Sequence, residues 1–475
     1  MEDRISRFFP SVPQDKAGIT LHHLLTHSAG LEAEHGPSDY EPVGREEKIK
    51  RILTAPLKWP PGQRYFYSNS GFSMLGAIIE IVTGQSYERY LREQLFLPAG
   101  MTKTGYLLPR FQPEQLAQGY EGGRRWGTIL ERPMAPDGPY WNLRANGAIH
   151  STCGDMYKWR LALEGNAVLS EEARQKFQHP HIPEGPGADS FYGYGWAIFN
   201  SPRGRLIAHN GGNGIFSADF RRYTEAGLVL FVAANLSEWK AFQVSPPLAR
   251  LGLGLETALP PKVTRVEPVK LAEFAGAYTL PSGARIMIAA RDGKLLAWAA
   301  GQEAFSLLAS GTRGDLGRAE ALNRRTAALL ESSAKGEYAA LHQAFGKRMP
   351  LERLAQMEAE RWQERKARFG ALRRVEVLGT APGQEEDSLT VARLEFERGS
   401  ELLQFIWAPR ELLGIRLVMT PPEKVFLPRS PAEFVSFDLA SGASVALRFD
   451  RSPDRVVTGL IFLTSSGDIS ARRAR

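Results

Sequence analysis

The feature that most constrains this chain is a polar turn followed by a long apolar segment. Residues 64–72 read Arg-Tyr-Phe-Tyr-Ser-Asn-Ser-Gly-Phe, after Trp-Pro-Pro-Gly at 59–62 and before a mostly apolar segment at 72–79. Gly and Pro mark a loop, whereas the apolar segment predicts a helix with a buried face. The sequence therefore predicts a loop that holds Tyr67 and Asn69 at the start of a buried helix.

Tyr67 and Asn69 allow two interpretations. A tyrosine and an asparagine two positions apart suit proton transfer and hydrogen bonding to a substrate. In the alternative interpretation, Asn69 is only the N-cap of the helix and Tyr67 is only a packing residue. The other motifs of the chain have to decide between the two.

Length and composition predict a soluble protein of several domains. A chain of 475 residues is too long for one compact core, and its apolar share of 43% is ordinary for a globular protein. No apolar segment is long enough to span a membrane, and residues 1–5 lack the pattern of a signal peptide. The single cysteine, Cys153, excludes an intrachain disulfide framework and leaves the cellular compartment open.

The net charge of +7 includes a basic cluster at residues 361–369, which also contains two aromatic residues. Such a cluster is either a nucleic-acid-binding face or the solvated flank of a helix. No nucleic-acid-binding motif accompanies it, so we expect a solvated flank and no nucleic-acid partner.

Three histidines fall within a short predicted helix at residues 19–31. His23 and His27 are four positions apart on one helix face, which is a spacing that metal sites use. No carboxylate or further ligand follows at a recognisable spacing, so the sequence predicts no metal site and no cofactor. Ser28 follows His27 directly, but adjacent residues on a helix do not face each other.

A second candidate motif is His209-Asn210-Gly211-Gly212, at the end of a predicted strand. Aromatic and apolar segments at 192–199, 216–223 and 227–235 surround it, and their close spacing predicts an antiparallel sheet. Glycines beside His209 would let a ligand approach the backbone closely. The alternative is an ordinary hairpin in which the histidine has no role.

The chain beyond Pro260-Pro261-Lys262, which we interpret as a linker, predicts a β-rich domain with an insertion. Short alternating strands at 265–315 and again at 424–475 predict a β-barrel-like domain. Between them, residues 316–423 read as charged helices followed by four strands, and therefore as a small inserted α+β module.

The motifs of residues 1–258, taken in order, resemble those of the penicillin-recognising serine hydrolases. This superfamily includes class C beta-lactamases, D-alanyl-D-alanine carboxypeptidases, D-aminopeptidases and related esterases. The resemblance rests on residues 19–31, Tyr67-Ser68-Asn69, residues 147–156, Tyr194-Gly195-Trp196 and His209-Asn210-Gly211. It implies an α+β fold in which a helical lobe packs on an antiparallel sheet. The part after the linker resembles a lipocalin-like domain, and the insertion a cystatin-like or nuclear-transport-factor-like module.

The resemblance implies acyl transfer by a serine in a Ser-x-x-Lys motif. It assigns Tyr67 as the proton relay, Asn69 as the residue that holds the substrate amide, and His209 with Gly211 as the third motif. The N–H of Gly212 would then be one oxyanion donor. Because the ordinary pKa of tyrosine is near 10, Tyr67 would need a neighbouring ammonium group to act as a base.

The nucleophile of this scheme is not found in the chain. In the superfamily the Ser-x-x-Lys helix precedes residues 19–31, and this chain begins too late to contain it. The strings Ser237-Glu238-Trp239-Lys240 and Ser332-Ser333-Ala334-Lys335 both follow Tyr67, so we reject them as nucleophiles. We expect an upstream segment with a signal peptide and therefore a periplasmic or secreted protein. The chain as it stands would be cytoplasmic, inactive and incompletely packed.

The third motif indicates which substrates to expect. Where the beta-lactam-recognising enzymes have Lys-Thr/Ser-Gly, this chain has His209 and Asn210, which hold a carboxylate less strongly. The expected substrate is therefore a small ester, a peptide or a D-amino-acid amide rather than a beta-lactam. The alternative function is non-catalytic binding of a peptide or lipid by the cleft and the barrel. The oligomeric state stays open.

Overall fold

The computed structural model describes residues 1–185, 188–201, 203–237, 239–264, 267–346, 350–383, 387–418, 423–439, 442–464 and 467–474. It divides the chain into two units, Met1–Thr257 and Ala258–Arg475. Each unit has apolar cores of its own.

The first part of the N-terminal unit is helical. Its helices are α1 (Leu21–Leu25), α2 (Arg45–Thr54), α3 (Asn69–Thr83), α4 (Tyr87–Leu91, continued by the π-helical turn Arg92–Phe96), α5 (Cys153–Glu164) and α6 (Glu171–Phe177). Short 3-10 turns lie at Ile5–Arg7, Gln14–Lys16, Pro113–Gln115 and Ile129–Glu131. A Ser or Thr side chain caps α1, α3, α4, α5 and α6, because its oxygen accepts an otherwise unpaired N–H of the first turn.

The second part of the N-terminal unit is an antiparallel sheet of six strands in the order β3-β4-β5-β6-β7-β8. The strands are β3 (Ile182–Pro183), β4 (Ser190–Tyr192), β5 (Ala197–Ser201), β6 (Gly204–Gly212), β7 (Ser217–Tyr223) and β8 (Leu228–Ala234). A separate hairpin, β1 (Gly119–Glu121) with β2 (Arg124–Gly127), precedes them, and α7 (Ala241–Gly252) follows.

The two faces of the six-stranded sheet pack against different helices. Ile198, Ile207 and Phe220 form one core with Leu163 of α5. Leu206 and other residues of the opposite face pack against Ala249 of α7. The sheet is thus covered by helices on both faces, as an antiparallel layer between two helical layers requires.

The C-terminal unit contains a closed eight-stranded barrel in the order β10-β11-β16-β17-β18-β19-β20-β9. Its strands are β9 (Gly276–Thr279), β10 (Arg285–Arg291), β11 (Lys294–Ala300), β16 (Lys424–Pro428), β17 (Glu433–Phe437), β18 (Ser444–Arg451), β19 (Val457–Leu463) and β20 (Ile469–Arg473), with α8 (Pro268–Leu271) and a 3-10 turn (Ala272–Phe274) before them. Tyr278, Phe426, Phe434, Phe449 and Phe462 are buried in one apolar cluster. Large aromatic side chains therefore fill the barrel, as eight strands permit.

Between β11 and β16 lies a part made of helices and a second sheet. Its elements are α9 (Gln302–Ser310), α10 (Leu316–Ala334), α11 (Ala339–Ala344), α12 (Leu351–Phe369), β12 (Leu372–Pro382), β13 (Ser388–Phe396), β14 (Gly399–Trp407) and β15 (Leu412–Val418). The four strands form an antiparallel sheet in sequence order. The core of this part joins α10, α11 and α12 to that sheet.

The predicted fold class is confirmed: helices with an antiparallel sheet are followed by a β-barrel. The domain boundaries at 258, 265–315, 316–423 and 424–475 stay predictions, as does the likeness of the barrel to lipocalins. Helix α9 begins at Gln302, inside the segment that the sequence assigned to barrel strands. Within the described residues, no helix combines the length and apolarity that a membrane crossing requires.

Candidate active site

A cleft of about 590 Å³ opens in the N-terminal unit. Tyr67 and His209, the central residues of the two predicted motifs, both line it. Its other lining residues are Tyr65, Glu184, Tyr192, Ala197, Phe199, Asn200, Ser201, Leu206, Ala208, Asn210, Asp219 and Arg221. The fold thus brings the turn before α3 and the end of β6 to one concave site.

Ser68, and not Asn69, is the N-cap of helix α3. The Ser68 hydroxyl accepts the N–H of Gly71 at 3.3 Å and donates to the carbonyl of Glu32 at 2.6 Å. Asn69 is the first helical residue. The interpretation of Asn69 as a mere cap is therefore wrong, because the side chain that satisfies the helix N-terminus belongs to its neighbour.

Residues 32–35 hold the Tyr67-Ser68-Asn69 turn in place. The side-chain amide of Asn69 donates to the carboxylate of Glu34. Ser70, the next residue, has two contacts with the same loop. Its N–H donates to the carbonyl of Ala33 at 3.3 Å, and the Ser70 hydroxyl lies 2.8 Å from His35 Nδ1. The Asn69 amide has two N–H groups, so one can bind a substrate carbonyl while Glu34 accepts the other. No motif in the sequence indicates this role for residues 32–35.

Lys48 of α2 stabilises the loop at residues 32–35. Its side chain is fully buried, and its ammonium donates to the carbonyl of His35 at 3.1 Å and to Asn142 Oδ1 at 3.0 Å. Burial lowers the pKa of Lys48 to about 8, against the opposing charge of Glu34. A signal for it does exist in the sequence, since Lys48 is four positions before the buried Ile52 and thus on the apolar face of α2.

Tyr67 is a protonated phenol at neutral pH. Burial and the negative charge of Glu34 raise its pKa. Among the described residues its hydroxyl has no hydrogen-bond partner, and the lining of the cleft includes no lysine. Tyr67 can therefore donate a proton here, but nothing in the described lining stabilises its phenolate.

The ring of His27 packs against the ring of Tyr67. Their ring centroids are 4.1 Å apart, and the Nδ1 of His27 accepts the N–H of Ser68 at 3.0 Å. Burial, with a further contribution from His209, lowers the pKa of His27 to about 3. The imidazole is therefore neutral, and it holds the turn through stacking and one hydrogen bond.

His23 and Ser28, which the sequence predicts to lie on one helix with His27, have structural contacts. His23 forms a capping box with Thr20, and Ser28 pairs with the hydroxyl of Thr26 at 2.8 Å. His27 does not continue α1, which ends at Leu25, so His23 and His27 do not share a helix face. Within the described ranges, no three His, Cys, Asp or Glu side chains are grouped closely enough to hold a metal ion.

His209 approaches the same cleft from strand β6. Its Nε2 lies 3.1 Å from the hydroxyl of Tyr192, and its ring centroid lies 6.4 Å from that of Tyr67. Burial lowers its pKa, so the ring is neutral at pH 7 and offers one donor and one acceptor. Tyr67 and His209 therefore lie together at this cleft, and their catalytic roles stay predictions.

Gly211 and Gly212 lie at the exposed end of β6, paired with Ala218 and Ser217 of β7. A Cβ at Gly212 would lie 2.6 Å from the carbonyl oxygen of Phe216, whereas a Cβ at Gly211 would meet nothing within 4 Å. Close packing therefore requires glycine at 212. The space over Gly211 is open to a ligand.

The two rejected Ser-x-x-Lys strings lie away from the lining of the cleft. Lys240 donates to the carbonyl of Gly214, and the N–H of Ser237 donates to Tyr120; the residue between them at 238 lies outside the described residues. The hydroxyl of Ser332, in α10 of the C-terminal unit, donates to the carbonyl of Ala328 at 2.8 Å. Neither serine lines the cleft.

A helical region packed on an antiparallel sheet, with a Tyr-Ser-Asn turn and a His-Asn-Gly strand end at one cleft, defines a candidate acyl-transfer site. The family comparison agrees with this class. A family model described as Beta-lactamase matches residues 1–253, which is more than half of the chain. The chain belongs to the beta-lactamase family.

Individual relatives share limited identity with the chain. A penicillin-binding protein of Bacillus subtilis is 25% identical over 333 residues, covering 65% of this chain and 73% of that protein. The D-alanyl-D-alanine-carboxypeptidase/endopeptidase AmpH of Escherichia coli is 27% identical over 265 residues, covering 51% of this chain and 66% of that protein. Parts of both relatives thus have no counterpart in the matched region.

Solved structures resemble the chain only in part. A penicillin-binding protein from Bacillus halodurans has a TM-score of 0.45 and 27% identity, and the match covers 53% of this chain and 77% of that one. The D-amino acid amidase from Ochrobactrum anthropi has a TM-score of 0.42 and 25% identity, with coverage of 49% and 68%.

Proposed function

We propose that the N-terminal unit forms the proton-relay and substrate-binding part of a serine hydrolase that acts through an acyl-enzyme. The observation that carries this proposal is the meeting of Tyr67 and His209 at one cleft, from motifs far apart in the sequence. Membership of the beta-lactamase family supports it. The substrates we propose are esters and D-amino-acid amides or peptides, which accords with the peptidase activities in the name of the Escherichia coli relative.

Tyr67 and Asn69 have separate roles in this proposal. The Tyr67 phenol gives its proton to the leaving group, and the side-chain amide of Asn69 holds the substrate carbonyl with the N–H that it does not donate to Glu34. The N–H of Gly212 contributes to an oxyanion site. His209 and Gly211 form the wall beside it. Because His209 is neutral, it anchors a substrate carboxylate weakly, which favours esters and amides over beta-lactams.

The serine and lysine of the scheme are not assigned within the 475 residues. We propose that they are encoded directly upstream, and that a leader peptide there exports the protein to the periplasm or beyond the cell. Genomic DNA upstream of Met1 tests this directly. An in-frame Ser-x-x-Lys would support the proposal, and stop codons immediately before Met1 would contradict it.

The catalytic test uses a form of the protein that is extended at its N-terminus by that upstream segment. We expect it to hydrolyse p-nitrophenyl esters and D-alanyl-D-alanine peptides or D-amino-acid amides faster than a chromogenic cephalosporin. The 475-residue form serves as the control and should release no product. Equal turnover by both forms would contradict the assignment of the nucleophile, and no turnover by either would contradict the proposed function.

A second candidate, non-catalytic binding of a peptide, has one observation in its favour. The described lining of the cleft supplies neutral hydrogen-bonding groups, Tyr67, Tyr192 and His209, without a lysine. Binding of a D-alanyl-D-alanine peptide by the extended form without turnover would favour it. The aromatic filling of the barrel argues against the companion idea that the barrel holds a lipid.

A further inference from the structure

One carboxylate in the lining of the N-terminal cleft has no part in the proposed proton relay. Glu184 directly follows β3, and its N–H donates to the carbonyl of Ser190 of β4 at 3.0 Å. Because Ile182 of β3 pairs with Tyr192 of β4, Glu184 lies two positions further along on the same face of the sheet as Tyr192. Both residues line the cleft. The strand register therefore agrees with a Glu184 carboxylate that faces the cleft.

The charge of Glu184 acts on the aromatic residues of the same cleft. Burial and the carboxylate of Glu184 raise the pKa of Tyr65. Burial also raises the pKa of Tyr192, and the charge of Glu184 adds to that shift. A carboxylate that disfavours a second negative charge nearby favours a positive one at the same place. The aromatic wall of the cleft therefore lies within the field of a negative charge.

The described part of the chain supplies no ion-pair partner for Glu184. Arg221, a cation of the lining, is paired with Asp219 at 2.9 Å. The guanidinium of Arg64, on the turn before α3, lies 3.3 Å from the ring centroid of Trp59 and is not part of the lining. Since Glu184 and Asp219 stand against Arg221 among the described lining residues, one negative charge remains.

Three tyrosines form walls beside this carboxylate. The ring centroids of Tyr65 and Tyr192 are 5.3 Å apart, and those of Tyr67 and Tyr192 are 6.5 Å apart. All three line the cleft. An ammonium group within about 6 Å of the centroid of a tyrosine ring is attracted to the face of that ring. One unpaired carboxylate beside several aromatic rings is thus suited to a small organic cation.

We propose that Glu184 binds the free α-ammonium group of the substrate. This inference rests on the proposed hydrolase function, and it narrows the substrates to amides and esters of D-amino acids whose amine is unblocked. An N-acylated substrate has no cation for Glu184, and a substrate with a carboxylate at this end is repelled by it. Tyr67 and Asn69 are left to act on the carbonyl of the same molecule.

Isothermal titration calorimetry of the 475-residue chain at pH 7.0 tests the proposal with three ligands of one skeleton. They are D-leucinamide, whose α-amine is mostly protonated at this pH, the neutral N-acetyl-D-leucinamide and the carboxylate N-acetyl-D-leucine. We expect D-leucinamide to bind about fivefold to tenfold more tightly than the neutral ligand, and the carboxylate to bind most weakly.

Variants of the acidic residues identify the group responsible. E184Q should bind D-leucinamide about fivefold more weakly and the neutral ligand unchanged. E184K should reverse the order, so that N-acetyl-D-leucine binds more tightly than D-leucinamide. D189N removes the same charge from an exposed position of the same hairpin, outside the lining, and should bind all three ligands like the wild type. Thermal melts show that each variant is folded.

Four outcomes would overturn the proposal: no heat with D-leucinamide, equal affinity for D-leucinamide and its N-acetylated form, an unchanged affinity in E184Q, or an equal loss in D189N. Because binding needs no nucleophile, this titration is separate from the test of hydrolase function. Equal kcat/KM of the N-terminally extended form for free and N-acetylated amides would remove the ammonium site and keep the hydrolase. Selective binding of D-leucinamide without turnover by either form would keep the site and remove the hydrolase.

Discussion

Both units bury carboxylates that are paired with a base, such as Asp155 with Lys158 and Glu358 with Arg361, but among the described residues buried histidines occur only in the N-terminal unit. In the N-terminal unit, burial removes the charge of histidines, and it lowers the pKa of His27 to about 3 and that of His35 to about 4. In the C-terminal unit, the buried carboxylate of Glu358 stays paired with an arginine at 2.6 Å. Of the nine histidines, eight precede residue 258 and only His342 follows it.

The difference in buried histidines bears on the chemistry that each unit can perform. The histidine and phenols of the N-terminal cleft provide hydrogen bonds and a proton. Arg221 in its lining is already paired with Asp219 at 2.9 Å, so a further cation is needed before a phenolate of Tyr67 can form. Arginines stay protonated at every physiological pH, and two of those in the C-terminal unit, Arg361 and Arg365, are held in ion pairs with glutamates at 2.6 Å. The N-terminal cleft is therefore suited to proton transfer, whereas these charges of the C-terminal unit remain fixed in pairs.

The largest expected effect is acid unfolding of the N-terminal unit before the C-terminal one. A histidine whose folded pKa is depressed takes up a proton more readily in the unfolded chain, so stability falls as the pH drops from 6.5 towards the folded pKa. For His27 the shift from 6.5 to about 3 corresponds to a loss of up to about 5 kcal/mol, and His35 adds to it. Carboxylates paired with arginine, such as Glu273 with Arg451, lose their contribution only below about pH 4.5.

Hydrogen exchange measured by mass spectrometry, corrected for the intrinsic pH dependence, checks this order. Peptides from residues 1–257 should lose protection between pH 6 and pH 4 while those from the C-terminal unit keep it. His27→Asn should move the N-terminal midpoint to lower pH, whereas the exposed His179→Asn should not. Loss of protection in both units at one pH would contradict the comparison.

Tyr67→Phe gives the next largest effect. Removing the phenol that donates the proton should lower kcat/KM of the N-terminally extended form by roughly 100-fold to 10,000-fold. The ring still stacks on His27, so the melting temperature should change little. Tyr157→Phe, at an exposed position of α5, is the matched control and should keep full activity. Activity that survives in Tyr67→Phe would remove Tyr67 from the relay.

Local sequence signals predicted the strands and turns whose positions depend on neighbouring residues in the chain. The strands expected at 216–223 and 227–235 are observed as Ser217–Tyr223 and Leu228–Ala234, because Gly227 ends the turn between two apolar segments. The motif around Tyr67 was found for the same reason, since Gly and Pro mark the loop that carries it. His209 was found beside a glycine pair in a predicted strand, which is observed as β6.

The missed features depend on tertiary contacts. Glu34 meets Asn69 across 35 positions, and no spacing rule anticipates a hydrogen bond between a loop and a helix start. The sequence places Arg365 on a solvated helix flank, yet its guanidinium crosses to Glu401 of the sheet. The ammonium of Lys48 is buried and donates to the carbonyl of His35, a partner that the sequence does not indicate. Charged residues are usually exposed, so a sequence alone assigns them to the surface unless partners are known.

Lys48→Met removes a buried cation that holds the loop at residues 32–35. With a folded pKa of about 8 against an ordinary value near 10.4, the wild type should gain about 2–3 kcal/mol of stability between pH 8 and pH 10.5, because the unfolded chain holds the proton longer. The variant should lack this rise. Urea denaturation at pH 8.0, 9.2 and 10.5 checks it, and Lys50→Met, at an exposed position of the same helix, is the control. Parallel pH profiles of wild type and Lys48→Met would show that this ammonium is not desolvated.

The smallest expected effect is the loss of stability when the N-cap side chain of one helix in each unit is removed. Ser68→Ala removes a hydroxyl that accepts from Gly71 and donates to Glu32, so it should cost about 1–2 kcal/mol. Asp315→Ala removes the exposed cap of α10, which accepts the N–H of Arg318 at 2.9 Å, and should cost about 0.5–1 kcal/mol. The Ser68 variant should also raise the KM of the extended form, because the same hydroxyl fixes the turn that presents Tyr67 and Asn69. If denaturant unfolding ranks Asp315→Ala as the more damaging change, or if the KM of Ser68→Ala is normal, then the loop at 32–35 does not position the turn.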